Sequence, residues 1–312
     1  MSDFAFLDER HILVAFGSTV PEFDDEIEAT LAPCIQLYAF ADEAGDHLPP
    51  LNTSTSMSKW YTHGRHIGSL GLPRIQSSSS VLEIIFHGNS LSTKRAPVRN
   101  GEVFQASEHH RIFLVEMVIE AQDDELPAVM CIPQHILLEY AHSMAQSAQP
   151  IEVPWCVWGP VGSRLFFGSV VDVTWSCPAY GSRFVASRTI ENAPGDLSLE
   201  IQVYDFGHLA VKRGLMVGDR MGSWVYEDDP EDVNRPRFIR DVGNVSDYFI
   251  DDVSTRLPFR WLSKRREQSL GHGHAHAVML SEDNILVVST DDVRIFQRGF
   301  TSQRMLMLCS SA

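Results

Sequence analysis

The sequence predicts an all-β fold, a β-propeller-like repeat of short antiparallel blades forming a single domain over residues 1–312. Three observations carry this expectation: a hairpin pattern that recurs at the two ends of the chain, a strand pattern that recurs in mid-chain, and a high density of short apolar runs separated by turn residues.

The hairpin comes first. Residues 6–14 read FLDERHILV and residues 279–287 read MLSEDNILV, matching at Leu7/Leu280, Glu9/Glu282, Ile12/Ile285, Leu13/Leu286 and Val14/Val287. Each copy is an apolar run, a polar turn and a second apolar run. Asp, Asn and Ser suit the turn because their side chains hydrogen-bond nearby backbone groups and tolerate tight geometry.

A further strand follows each hairpin, IQLYAF at 35–40 and VRIFQRGF at 293–300, and IQVYDF at 201–206 repeats the first of these. Alternation puts Ile201, Val203 and Asp205 on one face and Gln202, Tyr204 and Phe206 on the other, the pattern of a strand covered on both sides. Residues 81–88, 111–120, 163–171 and 183–187 are further short aromatic or β-branched runs between Gly, Pro, Ser, Asn and Asp clusters. Matching copies at the two ends favour a ring, in which first and last blades are neighbours. At about 40–50 residues per blade the chain would make roughly six or seven.

One stretch has a helical period. In residues 132–147, IPQHILLEYAHSMAQS, the apolar positions Ile136, Leu137, Tyr140, Ala141 and Met144 follow i, i+4, i+8 spacing, with Pro133 suited to a first turn. It predicts a short helix inserted between blades.

Composition bounds the function. The formal net charge is −16, with 41 acidic against 25 basic residues; phosphate-backbone binding depends on clustered Lys and Arg, so nucleic acid is not an expected partner. Among the first fifty residues the acids Asp3, Asp8, Glu9, Glu22, Asp24, Asp25, Glu26, Glu28, Asp42, Glu43 and Asp46 face Arg10 alone, and EDDPED at 227–232 adds a second cluster. Such runs read first as solvated loops, and second as a landing surface for a basic partner. The five cysteines, Cys34, Cys131, Cys156, Cys177 and Cys309, form no CxxC pair and fit a reduced intracellular compartment. No secretory signal pattern and no apolar run long enough for a bilayer are present, which places the expected protein inside the cell and off the membrane.

The order of FLDERHIL, VPWCVWGP (153–160), AYGSRFV (179–185), VYDFG with VKRG (203–214), DDVSTRLPFR (251–260) and VMLSEDNILVV leading to VRIFQRGF resembles the C-terminal regions of the expanded F-box-type proteins of mushroom-forming fungi. The resemblance implies a propeller-like region that recognises substrates for a ubiquitin ligase. No F-box is visible: the one Leu-Pro opening before a helix, Leu126-Pro127, lies in mid-chain without the further helices that module needs. The chain then resembles a truncated or F-box-free relative that binds without recruiting.

Reactive chemistry has few candidates. His272, His274 and His276 in GHGHAHAV stand at i, i+2, i+4; in a strand they would share one face at intervals of about 6.5–7 Å, a start for a three-nitrogen zinc site. The flanking glycines favour an exposed loop leading into a strand at Ala277. His109 and His110 are adjacent and point apart in a strand. GSLGLP (68–73) lacks the Lys-Ser/Thr of a phosphate loop, and no Gly-x-Ser-x-Gly elbow occurs, so the sequence implies no cofactor. Trp155 and Trp158 are candidate partner-binding residues if exposed and anchors if buried. The expected function is a protein-interaction platform whose partner is another protein. The alternative is a hydrolase on the same scaffold, using the His strand or carboxylates such as Asp172, Asp205, Asp251 and Asp252.

Overall fold

A polar turn, Asp8-Glu9-Arg10, builds the first hairpin, and its side chains show why it closes there. The computed structural model of the chain describes residues 2–17, 32–40, 64–76, 79–87, 111–121, 124–167, 179–193, 196–207, 237–239, 243–245, 249–250, 253–266, 275–280, 284–289, 293–297 and 306–307. Strands β1 (Ser2–Phe6) and β2 (His11–Phe16) pair antiparallel from Ser2↔Phe16 to Phe6↔Ile12. Asp8 Oδ1 accepts the amide hydrogens of Arg10 and His11, each at 2.7 Å, and both Asp8 oxygens lie 2.9 Å from His11 Nδ1.

Burial is the largest influence on Asp8 and opposes its charge, but the His11 side-chain bond, the Arg10 amide bond and the further His11 contributions outweigh it and hold the carboxyl below its usual 3.8. A carboxyl depressed in the folded state stabilises above its unfolded value, and the contribution is lost as pH falls through the folded value. The urea midpoint is therefore expected to fall as pH drops from 5 to below 3.8, with Asp8→Asn showing the shallower dependence. An identical pH profile in the variant would remove Asp8 from that role.

Strands β3 (Cys34–Ala39) and β4 (Arg65–Gly71) extend the hairpin into a meander. The chain then forms β5 (Ser79–His87), β6 (Ile112–Ala121) and β7 (Asp124–Pro133), a second antiparallel sheet. Helix α1 (Gln134–Ala145) follows directly and buries Leu137, Ala141 and Met144. Arg65 caps its C-terminal end by donating to the carbonyls of Ala145 (2.8 Å) and Ser147 (3.2 Å), where the helix leaves acceptors unpaired.

Next come β8 (Ile151–Val153), helix α2 (Trp155–Gly162) and β9 (Arg164–Phe167). Strand β8 joins the first sheet parallel to β4, giving the order β1-β2-β3-β4-β8, and β9 completes the second as β5-β6-β7-β9. Gly68 permits this crowding, since a Cβ there would press on the Ile151 carbonyl and on Met144 Sδ.

The third sheet combines β10 (Ala179–Tyr180), β11 (Arg183–Ala193), β12 (Asp196–Asp205), β13 (Arg237–Ile239) and β16 (Phe259–Arg266) in the order β10-β11-β12-β16-β13. A ribbon of β14 (Gly243–Val245) and β15 (Val253–Thr255) docks beside α2 and β9, where Arg256 N–H donates to the Pro160 carbonyl at 2.8 Å and Leu165 N–H to Thr255 Oγ1 at 3.2 Å. The terminal sheet is the meander β17 (Ala275–Leu280), β18 (Asn284–Ser289), β19 (Val293–Gln297) and β20 (Leu306–Met307).

Three apolar clusters stack these sheets in chain order. Leu13, Ala15, Ile35, Leu37 and Leu70 of the first sheet meet Phe113, Val115, Met117 and Ile119 of the second, with α1 and α2 packed into the same core. The opposite face of the second sheet, Ile112, Leu114, Val129 and Cys131, meets Phe184, Ala186, Tyr204, Phe206 and Phe259 of the third. Val185, Ile201 and Val203 on the third sheet's far side meet Val278 and Ile285 of the terminal sheet. Strand β6 thus carries Ile112 and Leu114 on one face and Phe113, Val115, Met117 and Ile119 on the other because both are covered.

The fold is all-β in its sheets, as the sequence predicts, but the propeller expectation is overturned. The sheets are discrete, with five, five, two, four and four strands, and among the described residues none closes into a propeller or barrel. Each cluster joins consecutive sheets, and among the described residues none joins the terminal sheet to the first. The matching end hairpins explain the error. Both form, but Phe6 pairs with Ile12 in one while Leu280 pairs with Ile285 in the other, a register one residue apart once the copies are superposed. A one-residue slip exchanges faces: Leu13 enters the first core, whereas in the second copy it is Ile285 that enters. Identical letters therefore do not mark equivalent blades, and the count of six or seven falls with them.

The inserted helix is also shorter than its period suggested. Ile132 and Pro133 end β7, and the helix starts at Gln134. Leu126-Pro127, the candidate F-box opening, lies within β7, just ahead of the Ala128–Cys131 stretch that pairs with β9. Among the described residues the ladder with β9 begins at Ala128, so Pro127 stands where its missing N–H has no partner to meet on that side.

Candidate interaction surface

Helix α2, WCVWGPVG, is apolar all round, and such a helix normally sits inside a core. Trp155 and Trp158 turn inward, 7% and 1% exposed, with ring centroids 5.2 Å apart in an edge-to-face pair. Trp158 Nε1 donates to the Gly71 carbonyl at 2.8 Å, tying α2 to the end of β4. Gly159 leaves room for the Trp155 ring, which a Cβ there would overlap. The two indoles are anchors of the helix, and what α2 shows to solvent is Cys156 with Val157 and Val161, the two valines 60% and 70% exposed.

His272 and His274 lie outside the described residues. His276 belongs to β17, which begins at Ala275, so the strand takes in a position read from the sequence as loop. Asp172, Asp251, Asp252, His109 and His110 also lie outside the described residues. Among the described residues no three His, Cys, Asp or Glu side chains are grouped so as to hold a metal ion. Residues 68–73 are the end of β4 and the segment after it.

Asp205 is described and is 1% exposed. Its Oδ1 accepts from Ser182 Oγ at 3.2 Å and from the Gly207 amide at 2.9 Å, and its Oδ2 accepts from Arg183 Nε at 3.1 Å. These bonds brace the end of β12 against the β10–β11 turn, where Gly181 takes the left-handed conformation at φ 58°. The carboxylate is engaged in holding backbone together.

Exposed aromatic residues are grouped on the first sheet. Its outer face, away from the second sheet, carries three cross-strand rows: Phe6, Ile12, Tyr38 and His66; Phe4, Val14, Gln36, Ser69 and Glu152; Ser2, Phe16, Cys34 and Gly71. Phe4, Phe6 and Phe16 are 42%, 38% and 36% exposed, and Phe4 packs edge-on against Phe6 with centroids 6.0 Å apart. On β1 the usual sidedness is reversed: Asp3 turns toward the second sheet, its Oδ2 accepting the Phe86 amide at 2.7 Å, while the phenylalanines face out. Scattered exposed apolar residues are ordinary, whereas aromatic ones grouped on one face call for an explanation.

The polar half of this face is ordered. Tyr38 OH donates to Gln36 Oε1 at 2.7 Å, His66 Nε2 lies 3.2 Å from Ser69 Oγ, and the Tyr38 and His66 rings stand 5.2 Å apart. The same Gln-x-Tyr arrangement recurs on β12, where Tyr204 OH donates to Gln202 Oε1 at 2.6 Å. There the pair is buried under the second sheet, with Gln202 and Tyr204 each 4% exposed. On the first sheet Gln36 and Tyr38 are half-buried at the outer face.

The sequence reading missed this surface. Its signal was present in SDFAF, whose alternation places Phe4 and Phe6 on one side of β1, but deciding that this side faces solvent required the pairing of β1 with β2.

No family model, no curated protein and no solved structure matches the chain. The resemblance to F-box-type proteins therefore rests on the sequence stretches alone, and the propeller it implied is not the architecture found. Among the described residues no helix is long and apolar enough to cross a membrane.

Proposed function

We propose that the chain is a protein-interaction platform and that the outer face of its first sheet is the binding surface. One observation carries this reading: three phenylalanines, each more than a third exposed, grouped on one face of a sheet of five hydrogen-bonded strands. Exposed aromatics on a rigid scaffold lose little conformational freedom on binding and are favoured at energetic centres of interfaces. The engagement of Asp205 in structural bonds favours binding over the hydrolase alternative at that carboxylate.

The test is site-specific photo-crosslinking in cells, with a photoreactive phenylalanine at position 4 or 16 and a control at Glu139, exposed on α1. A discrete protein adduct is expected from positions 4 and 16 and not from 139. Equal adducts from all three positions, or none from 4 and 16, would refute the assignment.

A further inference from the structure

Resting on that reading, we infer that the partner seated on the outer face of the first sheet is a basic amphipathic segment, apolar on the side that meets Phe4 and Phe16 and carrying Lys or Arg at its margin.

The apolar side follows from a precedent within the same chain. The Gln202-Tyr204 pair on β12 is covered by apolar side chains of the second sheet, Ile112, Leu114, Val129 and Cys131. The Gln36-Tyr38 pair makes the same hydrogen bond on a face flanked by Phe4, Phe6 and Phe16. A cover of the same apolar kind completes it in the same way.

The basic margin follows from charge. The three rows of the outer face contain no Lys or Arg, and the central row ends at the exposed carboxylate of Glu152 on β8. That carboxylate is close enough to Cys34 to add to burial in pushing the thiol upward, against a lowering bond from Gln36. The chain as a whole is acidic at −16, so like-charge repulsion opposes both an acidic partner and a second copy of this chain. Cations over exposed phenylalanine rings gain a further attraction from the ring quadrupole.

The probe is a labelled alternating Leu-Lys peptide of about ten residues, long enough to lie across the sheet as a strand, read by fluorescence anisotropy beside an alternating Leu-Glu peptide. The Leu-Lys peptide is expected to bind, to weaken with added salt and with Glu152→Gln, and to weaken about tenfold or more in the Phe4→Ser/Phe16→Ser double variant. Both phenylalanines are exposed, so the double variant should keep its circular dichroism spectrum and urea midpoint.

Leu-Glu binding of equal strength and equal phenylalanine dependence would overturn the basic partner while leaving the platform intact. Leu-Lys binding indifferent to the double variant would be attraction to the acidic surface at large, and would overturn the inference. So would failure of the Leu-Lys peptide to bind, with the crosslinking result then deciding the platform separately. Sedimentation showing a dimer that Phe4→Ser dissociates would give the face to a second copy and overturn it as well.

Discussion

Trp158→Ala is expected to lower the stability of the fold by about 3–5 kcal/mol, the range for emptying a buried aromatic site whose surroundings relax only in part. Trp158 is 1% exposed, belongs to the main core, packs edge-on against Trp155 and satisfies the Gly71 carbonyl. Truncation opens a cavity between α2 and the first sheet and leaves that carbonyl without its donor. The two indoles are not equal, however: Trp155 Nε1 is buried with no hydrogen-bond partner among the described residues. Trp155→Phe should therefore cost less than Trp158→Phe, which forfeits a bond as well as volume. Urea denaturation of the three variants measures both the size and the order. A Trp158→Ala midpoint equal to that of the parent would show that α2 is not anchored as described.

Asp205→Ala is expected to cost about 3 kcal/mol, near the low end of the range for removing one partner of a buried ion pair. Asp205 is almost wholly buried, but the Arg183 side chain is 25% exposed and can regain water once its carboxylate is gone. The variant also frees Ser182 Oγ and the Gly207 amide, so the loss spreads over the β10–β11 turn and the end of β12. Asp205→Asn keeps an acceptor and the shape, and should lose less. Denaturation midpoints separate the two. If Asp205→Ala left the midpoint unchanged, the carboxylate would be spare, and its bonds in the fold would not explain its burial.

Much of the strand inventory was legible because alternation is a local property. IQVYDF was assigned two covered faces from its sequence, and Ile201 and Val203 do face one cluster while Tyr204 and Phe206 face another. The helix in 132–147 was visible from its period, but not its start, since Ile132 and Pro133 prolong a strand whose partner lies elsewhere. The architecture was not legible, because ring closure is a non-local property and two similar sequences can sit in registers one residue apart. Strands β4 and β7 were passed over for a related reason: Gly68 and Pro127 look like breakers until the neighbours that accommodate them are known. The Trp155-Trp158 pair drew attention by residue type, whereas Phe4, Phe6 and Phe16 became conspicuous only once their shared face and exposure were seen.

The linear stacking of sheets has a consequence for how the molecule comes apart. Among the described residues an inner sheet is held on two sides, whereas the terminal sheet meets one neighbouring sheet, through Val278 and Ile285, with Leu280 at the margin. The first sheet is also an end, but α1 and α2 brace it. Opening free energy should therefore be graded along the chain, with amides of β17 and β18 exchanging with solvent through a partial opening that spares β6 and β7. A protease would find its first foothold at that loosely held end, long before the rest of the chain lets go.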